Sequence, residues 1–290
     1  MRIVIIGSGG RLGAALAREW KAAGEQVHSF AHASLDLADA DAIRDAITPL
    51  SFDVLVNCAA LTNVDYCESH KEEAMSINGD AVRVIAEMCQ RKRKRCIHIS
   101  TDYVFDGEKR TPYTERDKAR PLGVYAASKL AGEAALLEAS PEHLAVRMSW
   151  VFGPDRPSFV DQILQRAHET EDLSAIADKW STPTYTLDVA KLLRPLLREK
   201  RATGVLHLAN TGECTWQEYG QFAIDCAAKL GAPLKGRTVA PLRMSDLAAF
   251  VAKRPVYTVL STAKFAERSG LTPRPWQEAV EEHVRATLSR

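Results

Sequence analysis

No apolar run in this sequence approaches the ~20 residues needed to cross a bilayer, which excludes a membrane-spanning helix. The apolar start "MRIVIIGSGG" breaks at Gly7 too soon for a signal peptide, so we expect a soluble cytoplasmic protein with no membrane partner. An excess of one charge is missing too. Lys and Arg number 38 against 37 Asp and Glu, so no global field favours nucleic acid or an anionic membrane. The one local cluster, "RKRKR" at 91–95, closes a helical stretch, where cations complement the negative dipole end. No second basic cluster accompanies it, and we expect no nucleic-acid partner. The six cysteines form no Cys-x-x-Cys pair and have no metal-type histidine spacing beside them, so no metal site is expected. Several lie within apolar runs, as reduced core thiols do. Internal repeats and low-complexity linkers are also absent, which argues against loosely tethered units.

What is present is a regular alternation. With 46% hydrophobic composition, 290 residues can bury one large core or two smaller ones. "RIVIIG" is a short continuous apolar run ending in glycine, which suits a strand buried on both faces of a parallel sheet. A periodic stretch from Arg11 to about Ala23 reads as a helix, with Gly24 as its stop. "EQVHSFA", "FDVLVNCAA", "CIHIST" and "LAVRMSWVF" read as further strands. Between them, "ADADAIRDAI", "EEAMSINGDAVRVIAEMCQ" and "YAASKLAGEAALLEA" read as helices. The expected class is therefore α/β, a Rossmann-type doubly wound parallel sheet with right-handed crossovers. Past residue 150 the rhythm loosens. "PSFVDQILQRAHE", "TLDVAKLLRPLLRE", "TWQEYGQFAIDCAAKL" and "WQEAVEEHVRATL" read as helices, "DLSAIAD" as extended, and "GVLHLAN" as one more strand of the same sheet. We expect residues 1–150, completed by about 185–210, to bind a dinucleotide. Residues 151–184 and 211–290 then form a smaller, mostly helical substrate-binding region across a cleft.

"GSGGRLG" lies directly between the first strand and the first helix. Gly7-x-Gly9 would need a third glycine at position 12, which is Leu12; Gly7, Gly10 and Gly13 instead fit a G-x-x-G-x-x-G spacing. Glycine there permits a tight turn and lets a pyrophosphate approach backbone N–H groups at a positive helix end. The acid usually sought after the second strand is absent, for Ala31 and His32 occupy that place. No carboxylate repels a 2′-phosphate, and His32 or Arg11 could approach one, so the expectation is NADPH or NADH with a lean to NADPH. Asp36 and Leu37 follow as candidates for the adenine pocket, against an ordinary helix N-cap region for Asp36.

Of the seven tyrosines, only Tyr125 has a lysine four positions on, Lys129. On a helix the two share a face one turn apart. A free phenol, with a pKa near ~10, exchanges protons poorly at neutral pH. An adjacent ammonium favours the phenolate, and the phenol can then protonate a carbonyl oxygen while a nicotinamide delivers hydride. Lys129 can also hold the nicotinamide ribose. "HISTDYVFDG" ends the fourth strand at Ser100 and Thr101, where a hydroxyl can polarise the substrate oxygen. Each residue alone has a bland reading; their company is what points to chemistry.

Together these residues resemble the extended short-chain dehydrogenase/reductase family, in its sugar-nucleotide reductase branch. The likeness spans nearly the whole chain, through the glycine turn, "VNCAALTNVDYCE", "STDYVFDG", "YAASKLAGE", "VRMSWVFG", "STPTYT", "GVLHLANTGECTWQEY" and "RPVYTVLS". The resemblance implies reduction of a 4-keto-6-deoxy sugar nucleotide, in its narrowest form dTDP-4-dehydro-L-rhamnose to dTDP-L-rhamnose. It implies Tyr125 as acid/base, Lys129 as its activator and Thr101 against the oxyanion. Ala59, Ala60 and Ile99 would lie along the cofactor, and Asp102 and Trp150 against the sugar. Arg254 would meet the substrate diphosphate, with a plain surface arginine as the alternative. Cys58 and Leu61 stand where the family has alanine and an aromatic, and "DKWSTPT" replaces Asp-Gln-x-Gly-x-Pro-Thr. Ala15 stands where some members carry a glutamate of a magnesium-bridged dimer, so neither magnesium nor that dimer is implied, and a monomer or weak homodimer is expected. Two other readings stay open. One is a sugar-nucleotide epimerase or dehydratase; the other is a non-catalytic NADP-binding regulatory subunit resembling the beta subunit of methionine adenosyltransferase.

Overall fold

The computed structural model describes residues 1–199, 201–247 and 250–289. Its first half runs β1 (Arg2–Ile6), α1 (Arg11–Ala22), β2 (Gln26–Phe30), α2 (Ala40–Ile47), β3 (Val54–Asn57), α3 (Val64–Ser69), α4 (Lys71–Met75), α5 (Ala81–Arg91), β4 (Arg95–Thr101), α6 (Val124–Ala139) and β5 (Leu144–Met148). The second half runs β6 (Val151–Phe152), α7 (Phe159–Glu169), β7 (Leu173–Ile176), β8 (Trp180–Ser181), β9 (Thr184–Tyr185), α8 (Thr186–Leu196), β10 (Gly204–His207), β11 (Cys214–Thr215), α9 (Trp216–Lys229), β12 (Val239–Leu242), α10 (Ala263–Ser269) and α11 (Trp276–Leu288). Among these described residues, no helix is long and apolar enough to cross a membrane.

The main sheet has the order β10-β5-β4-β3-β1-β2, every neighbour parallel. Its inner strands β1 and β3 are buried on both faces because helices cover both. Residues of β1 show this directly: Ile3 and Ile5 enter a core with Leu16 and Trp20 of α1 and Leu193 of α8, while Val4 and Ile6 enter another with Ile43 of α2 and Ile85 of α5. The period of two divides one strand between two cores. Winding runs one way from β1 to β2 and the other way through β3, β4 and β5, so a crevice opens beyond the strand ends beside β1. The expected late strand "GVLHLAN" is β10 on the sheet's edge, and α8 packs with it against the first core. A separate cluster joins α7, α9 and α11 through Ile163, Tyr219, Ala223 and Val280.

Two expectations need correction. "LAVRMSWVF" is not one strand: β5 ends at Met148, Trp150 takes φ +38°, and β6 leaves to pair with β9. A non-glycine residue in that region is strained unless its surroundings hold it, and here it turns the chain from the sheet into the helical side. The long helix "EEAMSINGDAVRVIAEMCQ" is interrupted by a π turn, Ser76–Asp80, between α4 and α5. Such turns shift side chains off the helical register, often beside a site.

Candidate functional site

Beyond the ends of β1, β3 and β4 lies a cleft of about 1000 Å³. Its floor begins at the glycine turn. Gly7 takes φ +85°, and a Cβ there would sit 2.6 Å from the Ala59 nitrogen. A Cβ on Gly13 would meet the Gly7 carbonyl oxygen at 2.2 Å, so strand, turn and helix approach closer than any side chain allows. Gly10 is the N-cap of α1 and offers no capping side chain. The first N–H groups of the helix, at Arg11, Leu12 and Gly13, are left to an anion in the cleft. Gly7, Gly9, Gly10, Arg11, Leu12 and Gly13 all line it, as do His32, Asp36, Leu37, Ala59, Ala60 and Ile99. A cradle of this shape fits a dinucleotide.

Two of these residues also have partners within the fold. The Arg11 guanidinium is held by the carbonyls of Val151 and Arg156, each at 3.2 Å, and by that of Pro157, which clamps the β6–α7 segment. Asp36 accepts the Ala38 N–H at 2.9 Å, shaping the turn before α2. His32 is exposed at the cleft edge, with its ring free to meet a 2′-phosphate.

Tyr125 and Lys129 rise from the first turns of α6 and reach the cleft beside Thr101 at the end of β4. The α6 N-terminus is fixed by Glu68, whose carboxylate accepts the Val124 N–H at 2.7 Å. Burial pushes the Tyr125 phenol up to about 12, and the Thr101 hydroxyl beside it draws it partly back. The expected lowering by Lys129 is not found. The lysine's own Nζ is aimed elsewhere, donating to the Ile99 carbonyl at 2.7 Å and meeting His98 Nε2 at 3.0 Å. Burial also draws Lys129 down to about 8, against the pull of Glu133. Tyr125 is thus a protonated acid at neutral pH, the form a proton donor needs.

At the far end Trp150 lines the cleft, its ring 4.7 Å from Trp216, and its indole N–H is buried with no partner among the described residues. A buried donor left open costs stability and suits a ligand's acceptor. Asp102 is buried next to Thr101, which donates to it at 3.1 Å, and burial raises its carboxyl while Lys179 opposes the rise. Arg254 is not brought to the cleft. Its guanidinium pairs with Asp65 at 2.5 Å and lies over the Phe250 ring at 3.6 Å, tying the 250–254 segment to α3.

Tyr103, Asn78 and Arg156 belong to the site without having been expected there. Tyr103 packs edge-on to Tyr125 at 5.9 Å; it stood inside "STDYVFDG" and so was within reach. Asn78, turned inward by the π turn, binds Leu61 N–H and C=O at 2.8 and 3.0 Å and the Ser128 hydroxyl at 3.0 Å. It locks the cleft wall after β3 to the Tyr125 helix, and no periodicity reveals it. Arg156 donates its Nε–H to the Gly9 carbonyl at 2.5 Å. Since Arg11 binds the Arg156 carbonyl in return, two arginines cross between the glycine turn and the β6–α7 segment. Ala15, by contrast, is fully buried, and no cluster of metal-type side chains occurs among the described residues.

Fold and cleft together define a dinucleotide-binding protein of the extended short-chain dehydrogenase/reductase class. Within that class, the family model described as the RmlD substrate binding domain matches residues 1–289, and the chain belongs to that family. It is 34% identical over 300 residues to a dTDP-4-dehydrorhamnose reductase of Burkholderia thailandensis, with 100% of each chain covered. It is 37% identical over 290 residues to the enzyme of that name from Mycolicibacterium smegmatis, covering 99% of this chain and 86% of the relative. Among solved structures, dTDP-4-dehydrorhamnose reductase of Bacillus anthracis in complex with NADP superposes with a TM-score of 0.91 at 28% identity, covering 99% of each chain.

Proposed function

We propose that this protein is an NAD(P)H-dependent reductase of a 4-keto-6-deoxy sugar nucleotide, in the narrowest form converting dTDP-4-dehydro-L-rhamnose to dTDP-L-rhamnose. The observation that carries the reading is the Tyr125 phenol beside the Thr101 hydroxyl in one cleft, between the dinucleotide cradle and the open Trp150 donor. The glycine turn and the α1 N–H groups hold the pyrophosphate, His32 takes a 2′-phosphate, and Ala59, Ala60 and Ile99 support the nicotinamide half. The nicotinamide supplies the hydride when bound. The Thr101 hydroxyl turns from Asp102 to donate to the substrate's C4 oxygen, and Tyr125 gives that oxygen its proton as the charge develops. The Lys129 Nζ, anchored on Ile99 and His98, keeps an N–H for the cleft, where it can hold the nicotinamide ribose. Trp150 and Asp102 hold the sugar ring in register with these groups.

The working unit in this reading is residues 1–150 with 185–210 for the cofactor, and 151–184 with 211–290 for the sugar. A monomer or weak homodimer without a bridging magnesium suits the buried Ala15, and six free thiols suit a reducing cytoplasm. The experiment is oxidation of NADPH and of NADH by freshly made dTDP-4-keto-L-rhamnose, with wild type and Tyr125→Phe side by side. Stoichiometric oxidation that disappears in the variant supports the reading. A wild type that binds NADPH yet consumes none with any 4-keto nucleotide sugar sinks it and revives the epimerase or regulatory-subunit readings.

A further inference from the structure

Three polar side chains with almost no exposure stand in a row behind the Tyr125 helix. They are Asn57 at the end of β3, His98 in β4 and Lys129 in α6, at 0%, 0% and 2% exposure. Their hydrogen bonds leave little freedom. Asn57 Oδ1 accepts the Ala59 N–H at 3.0 Å, which turns the amide nitrogen to His98 Nδ1 at 3.2 Å. An amide –NH₂ only donates, so Nδ1 keeps its lone pair and Nε2 carries the ring hydrogen. Nε2 faces Lys129 Nζ at 3.0 Å. An ammonium has no lone pair with which to accept that N–H. The arrangement is therefore that of a neutral Lys129 amine. Its lone pair takes the Nε2 hydrogen, one N–H goes to the Ile99 carbonyl at 2.7 Å, and one remains for the cleft.

Adding a proton to Lys129 reverses the row. The ammonium donates to Nε2, the ring hydrogen stands on Nδ1, and Nδ1–H now requires an oxygen from Asn57. The amide turns over, and Oδ1 leaves the Ala59 N–H in the cleft wall. We infer that Asn57 and His98 form a proton-coupled switch, which transmits the charge state of Lys129 to the backbone at Ala59. Coupling of this kind is reciprocal, so a ligand that engages the Ala59 N–H also shifts the charge of Lys129. Other groups around Nζ do not compete. Glu133 is held by Arg147 at 2.6 Å, burial pushes Cys58 up to about 12 against the pull of Lys129, and Tyr125 stands as high. Burial and the nearby Lys129 charge keep His98 far below the ordinary imidazole range, so its ring changes tautomer rather than charge. Asn57 and His98 are positioning residues, acting through Lys129.

The effect on turnover rests on the reductase reading; the switch itself is tested without substrate or cofactor. Ring-nitrogen NMR of the cofactor-free protein reads the His98 tautomer, with the signal assigned by its loss in His98→Gln. The Lys129 Cε shift, assigned by its loss in Lys129→Met, reads the amine. We expect Nε2–H at about pH 10 and Nδ1–H at about pH 6, crossing over together with the Lys129 titration. One tautomer across the whole range, or a cross-over that Lys129 does not follow, overturns the switch. Asn57→Asp offers Nδ1 only acceptor oxygens, so Nδ1–H should persist throughout and the Lys129 transition should rise by about one pH unit or more, a tenfold change. An unmoved transition in a folded Asn57→Asp protein also overturns it. If that variant fails to fold, the wild-type titration decides alone.

Discussion

Residues on the sheet side of the cleft sit at the ends of strands that a parallel ladder locks in place, or on α6 packed against those strands, whereas those facing them come from two-residue strands and connecting segments. Thr101 is itself paired in the ladder, opposite Met148, and the glycine turn and Ala59 follow within two residues of the paired ends of β1 and β3. Trp150 instead hangs on a strained residue between β5 and β6, and Arg156 on the segment after β6. Catalytic and cofactor groups need positions good to a fraction of an ångström, which rigid strand ends supply. Groups that select a substrate can tolerate, and benefit from, the adjustable side. One consequence is that damage to the first side should abolish chemistry, while damage to the second should alter affinity.

Tyr125→Phe is the largest expected loss: turnover falls by about 10²–10⁴-fold, the usual worth of a positioned acid, with NADPH affinity within a few-fold. Near-normal activity in that variant would break the comparison at its strongest point. Gly13→Ala comes next. Its new Cβ would stand 2.2 Å from the Gly7 oxygen, so we expect ~1–3 kcal/mol of lost stability and no measurable NADPH binding by fluorescence titration. Trp150→Ala should raise KM for the sugar nucleotide by about tenfold, the scale of one lost buried contact, and leave the cofactor Kd alone. A cofactor Kd that moves with it would mean the two sides are not separable.

The pH profile is a sharper probe of the sheet side. Lys129 is drawn down to about 8, so its ammonium is present below that pH and lost above it. A turnover that needs the ammonium should fall about tenfold per unit above pH 8, with Tyr125 still protonated. Lys129→Met should flatten that limb at a lower plateau. The smallest effect expected is that of His32→Asp, a few-fold shift from NADPH towards NADH through repulsion of the 2′-phosphate, measured as a ratio of kcat/KM values. An unchanged ratio would take His32 out of the phosphate pocket.

Much of this arrangement was legible in the linear order of residues. Continuous apolar runs ending in glycine announced the buried strands, and strand–helix alternation announced the parallel sheet, because burial on two faces leaves a strand no polar period. The cradle was legible in part for a local reason: the contacts of Gly13 lie with Gly7 and Ser8 in the same turn, whereas the close approach of Ala59 to Gly7 comes from the neighbouring strand's end. Tyr125 and Lys129 were visible as a spacing of four on one helix. What Arg254 and Arg11 bind within the fold was not legible, because an arginine's partner is chosen in space. Asp65 claims one and the carbonyls of Val151, Arg156 and Pro157 the other, across wide sequence separations.

What the sequence by itself determined was the fold class, the dinucleotide turn and the placing of Tyr125 and Lys129 on one helix, since each depends on short-range periodicity or backbone geometry. Only the tertiary structure decided that Trp150 breaks a strand, that Asn78 bridges two walls through a π turn, and that His98 rather than the phenol receives Lys129. Those outcomes depend on which buried polar groups find partners, and a buried donor or acceptor is satisfied by whatever the folded chain brings within about 3 Å of it.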